Sequence, residues 1–222
     1  MLAGLLTFNW IMLQNNDYLS LGADMGTFLM VLLVIVAVVV IYLVIIFNTL
    51  VSLRNRFLNA FSQIEVQLKR RHDLIPNIVN VAKQAMTHER ETLEAVVQAR
   101  NNAAGLLQQA AKHPYSNQNI AQLAQGEASL NDALMRLNVV MEAYPDLKTN
   151  TNMLQLTEQL STTENKVAFS RQSYNDSVMF YNTYRQSFPN ILVASSFGHG
   201  HDAELLEFAD TEAIQAVPDV SF

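Results

Sequence analysis

From Gly26 to Phe47 the chain reads GTFLMVLLVIVAVVVIYLVIIF, 22 residues without a charge. As a helix such a stretch is about 33 Å long, enough to cross a hydrocarbon core of about 30 Å. The uncharged window extends from Met25 to Leu53, so a spanning helix would bury no Lys or Arg. A core helix of a soluble protein keeps a polar face, and this continuous run of Val, Leu and Ile has none. A cleaved signal peptide needs a basic n-region and a small-residue cleavage site. Here nothing before Arg54 is basic and FNTLVSLRN follows the apolar run, so the segment reads as an uncleaved anchor.

Flanking charge sets the expected orientation. Asp17 and Asp24 precede the span, Arg54 and Arg56 follow closely, and Lys69, Arg70 and Arg71 come later. The positive-inside rule then places the N-terminus outside and the C-terminal part in the cytoplasm. Arg54 and Arg56, next to the bilayer in sequence, are candidates for anionic lipid headgroups. For the Lys69-Arg70-Arg71 triplet two readings stand: a further headgroup site, or compensation of a helix C-terminal dipole.

After the span, Gly and Pro are scarce, seven and five in the whole chain, and fall where helices should end rather than at the regular spacing of a β protein. The expected fold is all-α, an antiparallel bundle of long helices. The first segment carries Leu50, Leu53, Phe57, Phe61, Ile64 and Leu68 on one stripe. Asp73 as N-cap and Pro76 in a first turn suggest a second helix over roughly 76–112, with Ile78, Val79, Ala82, Met86, Leu93, Val96, Val97, Ala103, Ala104 and Leu107 facing inward. His113-Pro114 ends it. A third helix, 117–143, aligns Ile120, Leu123, Leu130, Leu134, Leu137 and Met141. In a fourth, 150–187, Met153, Leu160, Val167, Tyr174, Tyr181 and Phe188 recur every seven residues. Four helices are preferred; the alternative is three, with the first running kinked through Pro76. The resulting organisation is an apolar segment 1–25, a membrane span 26–47, a bundle 48–198 and an acidic tail 199–222.

Three strings carry a resemblance: FNTLVSLRNRFLNAFSQIEVQLKRRHDLIPNIVNVAKQAMTHERETLEAVVQAR at 47–100, YPDLKTNTNMLQLTEQLSTTENKVAFSRQSYNDSVMFYNT at 144–183, and FPNILVASSFG at 188–198. Together they resemble the LemA family, a bacterial group of membrane-anchored helical proteins. The resemblance implies a one-pass anchor in the bacterial inner membrane followed by long helices, and it implies no reaction and no cofactor. One branch, MamQ, is associated with magnetosome membrane formation, which favours membrane organisation as a class of function. The stretch 1–24 and the HGHD segment are less typical of the family.

Little in the chain points to catalysis. Cysteine is absent, which removes disulfides and thiolate chemistry. No Glu is followed three positions later by His, as bundled di-iron sites require, and His88-Glu89 lacks the second His of a zinc helix. His199, His201 and Asp202 are close in sequence but sit in a Gly-interrupted segment that reads as a flexible turn. The net charge of −6 is split, with nine basic and five acidic residues over 48–112 and six acids without Lys or Arg over 199–222. That pattern lacks the broad basic face of a nucleic-acid protein.

The fourth helix holds a polar set, Glu164, Asn165, Arg171, Tyr174, Asn175, Tyr181 and Asn182, expected to be a structural network that fixes helix register. The function expected is a non-enzymatic membrane scaffold that assembles with copies of itself, with membrane lipid and with other membrane proteins. The alternative is a bundle that senses lipid or ligand. Two smaller expectations concern the ends. Phe188–Phe197 should lie near the bilayer interface; the N-terminal segment, whose Trp10 suits a membrane interface, should lie on the outer bilayer surface or pack against neighbouring anchors, and the 216–222 stretch should dock on an adjacent bundle.

Overall fold

The structure, a computed structural model, describes the backbone of residues 2–207 and the side chains of 26–207. The surroundings of Trp10 and the 216–222 stretch lie outside the described residues. Six α-helices follow one another: α1 (Leu2–Ala85), α2 (Arg90–Lys112), α3 (Asn117–Met141), the single turn α4 (Pro145–Lys148), α5 (Thr151–Gln186) and the single turn α6 (Ile191–Ala194), which runs into a 3-10 turn at Ser195–Phe197. No strand occurs among the described residues. The chain divides by packing into a unit ending at Thr49 and a unit beginning at Leu50.

In the first unit the uncharged run forms helix with most of its side chains turned outward: Phe28, Val36 and Ile41 are all more than half exposed, while Ile46, next to its end, is buried. It is the one described segment long and apolar enough to cross a membrane. Apolar side chains exposed around a helix gain their burial from an apolar solvent.

In the second unit, α1 from Leu50 onward, α2, α3 and α5 form the antiparallel bundle. Alternating steps of three and four bury Leu50, Phe57, Phe61, Ile64 and Leu68 and continue through Ile75, Ile78 and Ala82. The six apolar positions expected on α3 are all buried, as are Met153, Val167, Tyr174 and Tyr181 on α5. Each large side chain so buried contributes about 1.5–3 kcal/mol relative to exposure. Small residues set the spacing between α2 and α3, where a Cβ added at Gly126 would lie 3.5 Å from Ala103 Cα and 2.6 Å from Leu106 Cδ1.

The four-helix count holds, but the break between the first two helices does not fall at 71–76. Helix α1 passes through Pro76 without ending, and the reversal occurs at Met86–Glu89. Pro76 has no N–H, which leaves the carbonyl of His72, four residues earlier, without its helical donor. Arg100 on α2 supplies one, its Nε lying 2.9 Å from that oxygen. Asp73 is therefore no helix cap, and instead lies 3.5 Å from Arg100 Nη2. The Lys69-Arg70-Arg71 triplet is mid-helix, so compensation of a terminal dipole does not apply to it.

At the true reversal Met86 is buried and plugs the turn, while Tyr144 donates to Glu89 Oε1 at 3.5 Å. The other breaks follow their local chemistry. Ser116 caps α3 through Asn119 N–H, and Asn150 caps α5 through the N–H groups of Asn152 and Met153. Two apolar positions depart from expectation. Val97 is 39% exposed, and Phe188, beyond the end of α5, is 81% exposed and outside the heptad seam.

Candidate functional site

Two polar constellations stand out in the second unit, one in the middle of the bundle and one at the end where α5 finishes.

The first begins with a charge on an apolar stripe. Glu127 lies between Leu123 and Leu130 in the three-four rhythm of α3, so helix geometry turns it inward, and it is 1% exposed. The same rhythm turns Arg71 and His72 of α1 inward, and they meet it. His72 Nε2 is 2.7 Å from Glu127 Oε1, and Arg71 Nη1 is 3.5 Å from Glu127 Oε2. Arg71 Nη2 reaches Glu164 Oε1 at 3.9 Å. A buried carboxylate between two basic groups costs far less than an isolated one, yet seldom stabilises a fold more than apolar packing would. Arg71, expected at a lipid headgroup, is thus turned into the core, whereas Lys69 and Arg70 remain exposed.

The second constellation uses most of the α5 polar set, in a way the sequence did not reveal. Residues 199–207 run as an extended strap along α5. Asn175 and Asn182, two helical turns apart, each pair an amide with the strap backbone: Asn175 with the N–H and C=O of Leu206 at 2.9 and 3.2 Å, Asn182 with those of Ala203 at 2.9 and 2.9 Å. Tyr174 donates to the Glu204 carbonyl at 2.9 Å. Leu206, fully buried, is the apolar anchor. These residues hold the strap rather than fixing register between helices. Of the rest of the set, Glu164 joins the Arg71 cluster, Asn165 is exposed and Arg171 is half-buried on α5.

At the head of the strap, His199 is 3% exposed, and its Nδ1 is 3.0 Å from the Tyr181 hydroxyl. It is a packed core residue, not part of a flexible turn. Tyr181 stacks edge-on against Phe57, centroids 5.3 Å apart, and Tyr174 does so against Phe61 at 5.9 Å. Burial, and then the positive charge of Arg54, push the His199 pKa below its ordinary 6.5. Burial raises the Tyr181 phenol. Arg54 lies 5.0 Å from the Tyr115 ring centroid, and Arg56 lies 5.6 Å from that of Phe180.

Among the described residues no group of three or more His, Asp or Glu is placed to hold a metal ion. Asp202 instead accepts from Arg185 and Gln186.

Among the described residues, one helix apolar enough to span a bilayer and an antiparallel bundle with a buried ion-pair cluster and a strap define a helical-bundle protein with a candidate membrane anchor. Family comparison is specific on this point. The model of the LemA family matches residues 60–222, nearly three-quarters of the sequence, and the chain belongs to that family. No curated protein matches it.

Proposed function

We propose that this protein is a non-enzymatic scaffold of the bacterial inner membrane, anchored by the 26–47 helix with its bundle in the cytoplasm, which assembles with further copies and with other membrane proteins. The observation that carries the reading is the placement of large apolar side chains outside the core. On α5, Phe169, Met179 and Phe180 are exposed while the seam on its opposite side is filled; Val139 on α3 and Phe188, Ile191 and Leu192 beyond α5 are exposed as well. Single exposed apolar residues are ordinary, but neighbours such as Met179 with Phe180, and Phe188 with Ile191 and Leu192, are what a surface that binds would present. The ionisable groups of the core support a structural role, since His72 and Glu127 are sealed and bonded to each other.

The test is the assembly state of the full chain. Photo-crosslinking from Phe169 and Phe188 positions in membranes, with native mass spectrometry in gentle detergent, should give crosslinked copies and a species larger than one chain. A monomer that crosslinks only to lipid would overturn the scaffold and leave the lipid-sensing alternative, which Arg54, Arg56 and the exposed Phe188, Ile191 and Leu192 support.

A further inference from the structure

The strap closes one side of a cleft of about 360 Å³ whose walls include Arg54, Tyr115, Tyr181, His199, His201 and Asp202. That volume is at the lower end of the range of small-ligand sites, about 300–1,000 Å³. We propose that this cleft binds a phosphate-type anion, presented by a lipid headgroup or as soluble phosphate.

The cleft carries a positive charge that no carboxylate in its wall offsets. Asp202 is the carboxylate in the wall, and it is already neutralised. Its Oδ1 accepts from Arg185 Nε at 2.9 Å and from Arg185 Nη2, and its Oδ2 accepts from Gln186 at 2.9 Å. Every nitrogen of Arg185 has a partner, since its Nη1 donates to the Gly200 carbonyl at 3.3 Å. Arg54 is different. It is half-buried against the Tyr115 face, and among the described residues no carboxylate lies within ion-pair distance of it. A guanidinium in that position keeps an unused fork of donors suited to phosphate oxygens.

The neighbouring imidazole adds a donor. The Tyr181 hydroxyl and His199 Nδ1 share a hydrogen bond at 3.0 Å; in the tautomer in which the hydroxyl donates, Nε2 carries the ring proton, and in the protonated ring both nitrogens carry one. Burial and then the Arg54 charge hold the His199 pKa below its ordinary value, and an anion bound beside Arg54 opposes that charge and raises it. Arg54 follows the uncharged run by seven residues in sequence, which makes a headgroup a natural source of the anion. The inference goes beyond the scaffold reading and stands without it.

The experiment uses the full chain in maltoside micelles, which contain no phosphate, with the His199 imidazole signal followed by NMR. One arm titrates inorganic phosphate; the other adds phosphatidic acid to the micelles. The expected result in at least one arm is a saturable shift with a rise in the His199 pKa. Affinity should fall about tenfold or more in Arg54→Gln, in part in Arg54→Lys, and not in Arg56→Gln, whose guanidinium lies over Phe180 instead. Response to phosphate assigns a soluble ligand, and response to phosphatidic acid alone assigns a headgroup. No saturable shift in either arm, or one that Arg54→Gln leaves intact, overturns the site. The Tyr181 to His199 ring contact, read in the same spectra, reports whether each variant keeps its fold.

Discussion

Arg100 on α2 donates to the backbone carbonyl of His72 on α1, the oxygen that Pro76 deprives of its helical donor. A side chain 28 residues away thus lets a long helix run through a proline. If that bond is what Arg100 contributes, Arg100→Met should destabilise the bundle by about 1–3 kcal/mol. Its ion pair with the exposed Asp73 adds little, about 0–1 kcal/mol. Pro76→Ala restores an N–H to the carbonyl, so in that background the cost of Arg100→Met should shrink by about 1 kcal/mol. Urea melts of the four proteins give the coupling directly, and strictly additive costs would contradict the assignment.

The Glu127 cluster predicts an asymmetry between breaking a pair and removing it. Glu127→Leu alone leaves buried Arg71 with only the partly exposed Glu164 at 3.9 Å and His72 without its hydrogen-bond partner, and should cost about 3–5 kcal/mol. Adding Arg71→Met and His72→Leu replaces the whole group with apolar volume, and stability should return to near that of the natural chain. If the triple variant is as unstable as the single one, the cluster stabilises the fold by more than its desolvation costs.

Most of the bundle was legible because its signals are local. The three-four rhythm along α1 and α3 and the seven-residue recurrence along α5 identified buried faces, Phe188 excepted, and His113-Pro114 and Tyr144-Pro145 marked real turns. Pro76 misled because its remedy, Arg100, is tertiary. The true reversal at Met86–Glu89 carries neither Gly nor Pro to announce it. Glu127 was readable in principle, since the rhythm that buries Leu123 and Leu130 also buries position 127. The strap was not readable. Asn175 and Asn182 bond to its main chain, and main-chain partners leave no residue signature in the segment they hold.

That ladder should behave as a local unit. Asn175→Ala and Asn182→Ala each remove two hydrogen bonds to the strap, together worth about 2–4 kcal/mol if each bond contributes about 0.5–1 kcal/mol. Amide exchange at Ala203 and Leu206, whose N–H groups the two Asn side chains accept, should accelerate by about tenfold or more in the double variant. Exchange in the buried half of α3 should change little. Equal acceleration throughout the bundle would mean that the strap and the core open together.

Strap docking should also depend on pH through His199. Its folded pKa lies below the ordinary 6.5, so between those values the undocked state binds more protons and stability rises with pH. The contribution is complete above the ordinary histidine range and is lost as pH falls through it towards the depressed value. Arg54 and Tyr181 are the groups whose field and hydrogen bond the ring meets there. Exchange at Ala203 should therefore quicken as pH is lowered below about 6.5, after correction for intrinsic rates. His199→Gln, which keeps an acceptor for Tyr181 without a titrating ring, should flatten that dependence; an unchanged profile would assign the effect to another group.

Topology is the prediction most directly open to test. The first Lys or Arg of the chain is Arg54, beyond the apolar run, and Arg56 follows at once, so the positive-inside rule expects the bundle to remain in the cytoplasm. The absence of cysteine makes a single labelling site possible. Ser187 is exposed at the end of α5 and makes only a local bond to the Thr183 carbonyl, so Ser187→Cys should leave the fold intact. In cells whose outer membrane has been permeabilised, a membrane-impermeant maleimide should fail to label this cysteine until the inner membrane is opened. A cysteine placed at Ser20, on the other side of the span, should react without that step. Labelling of Cys at position 187 in intact inner membranes would reverse the orientation and place the bundle, with its Arg54 cleft, in the periplasm.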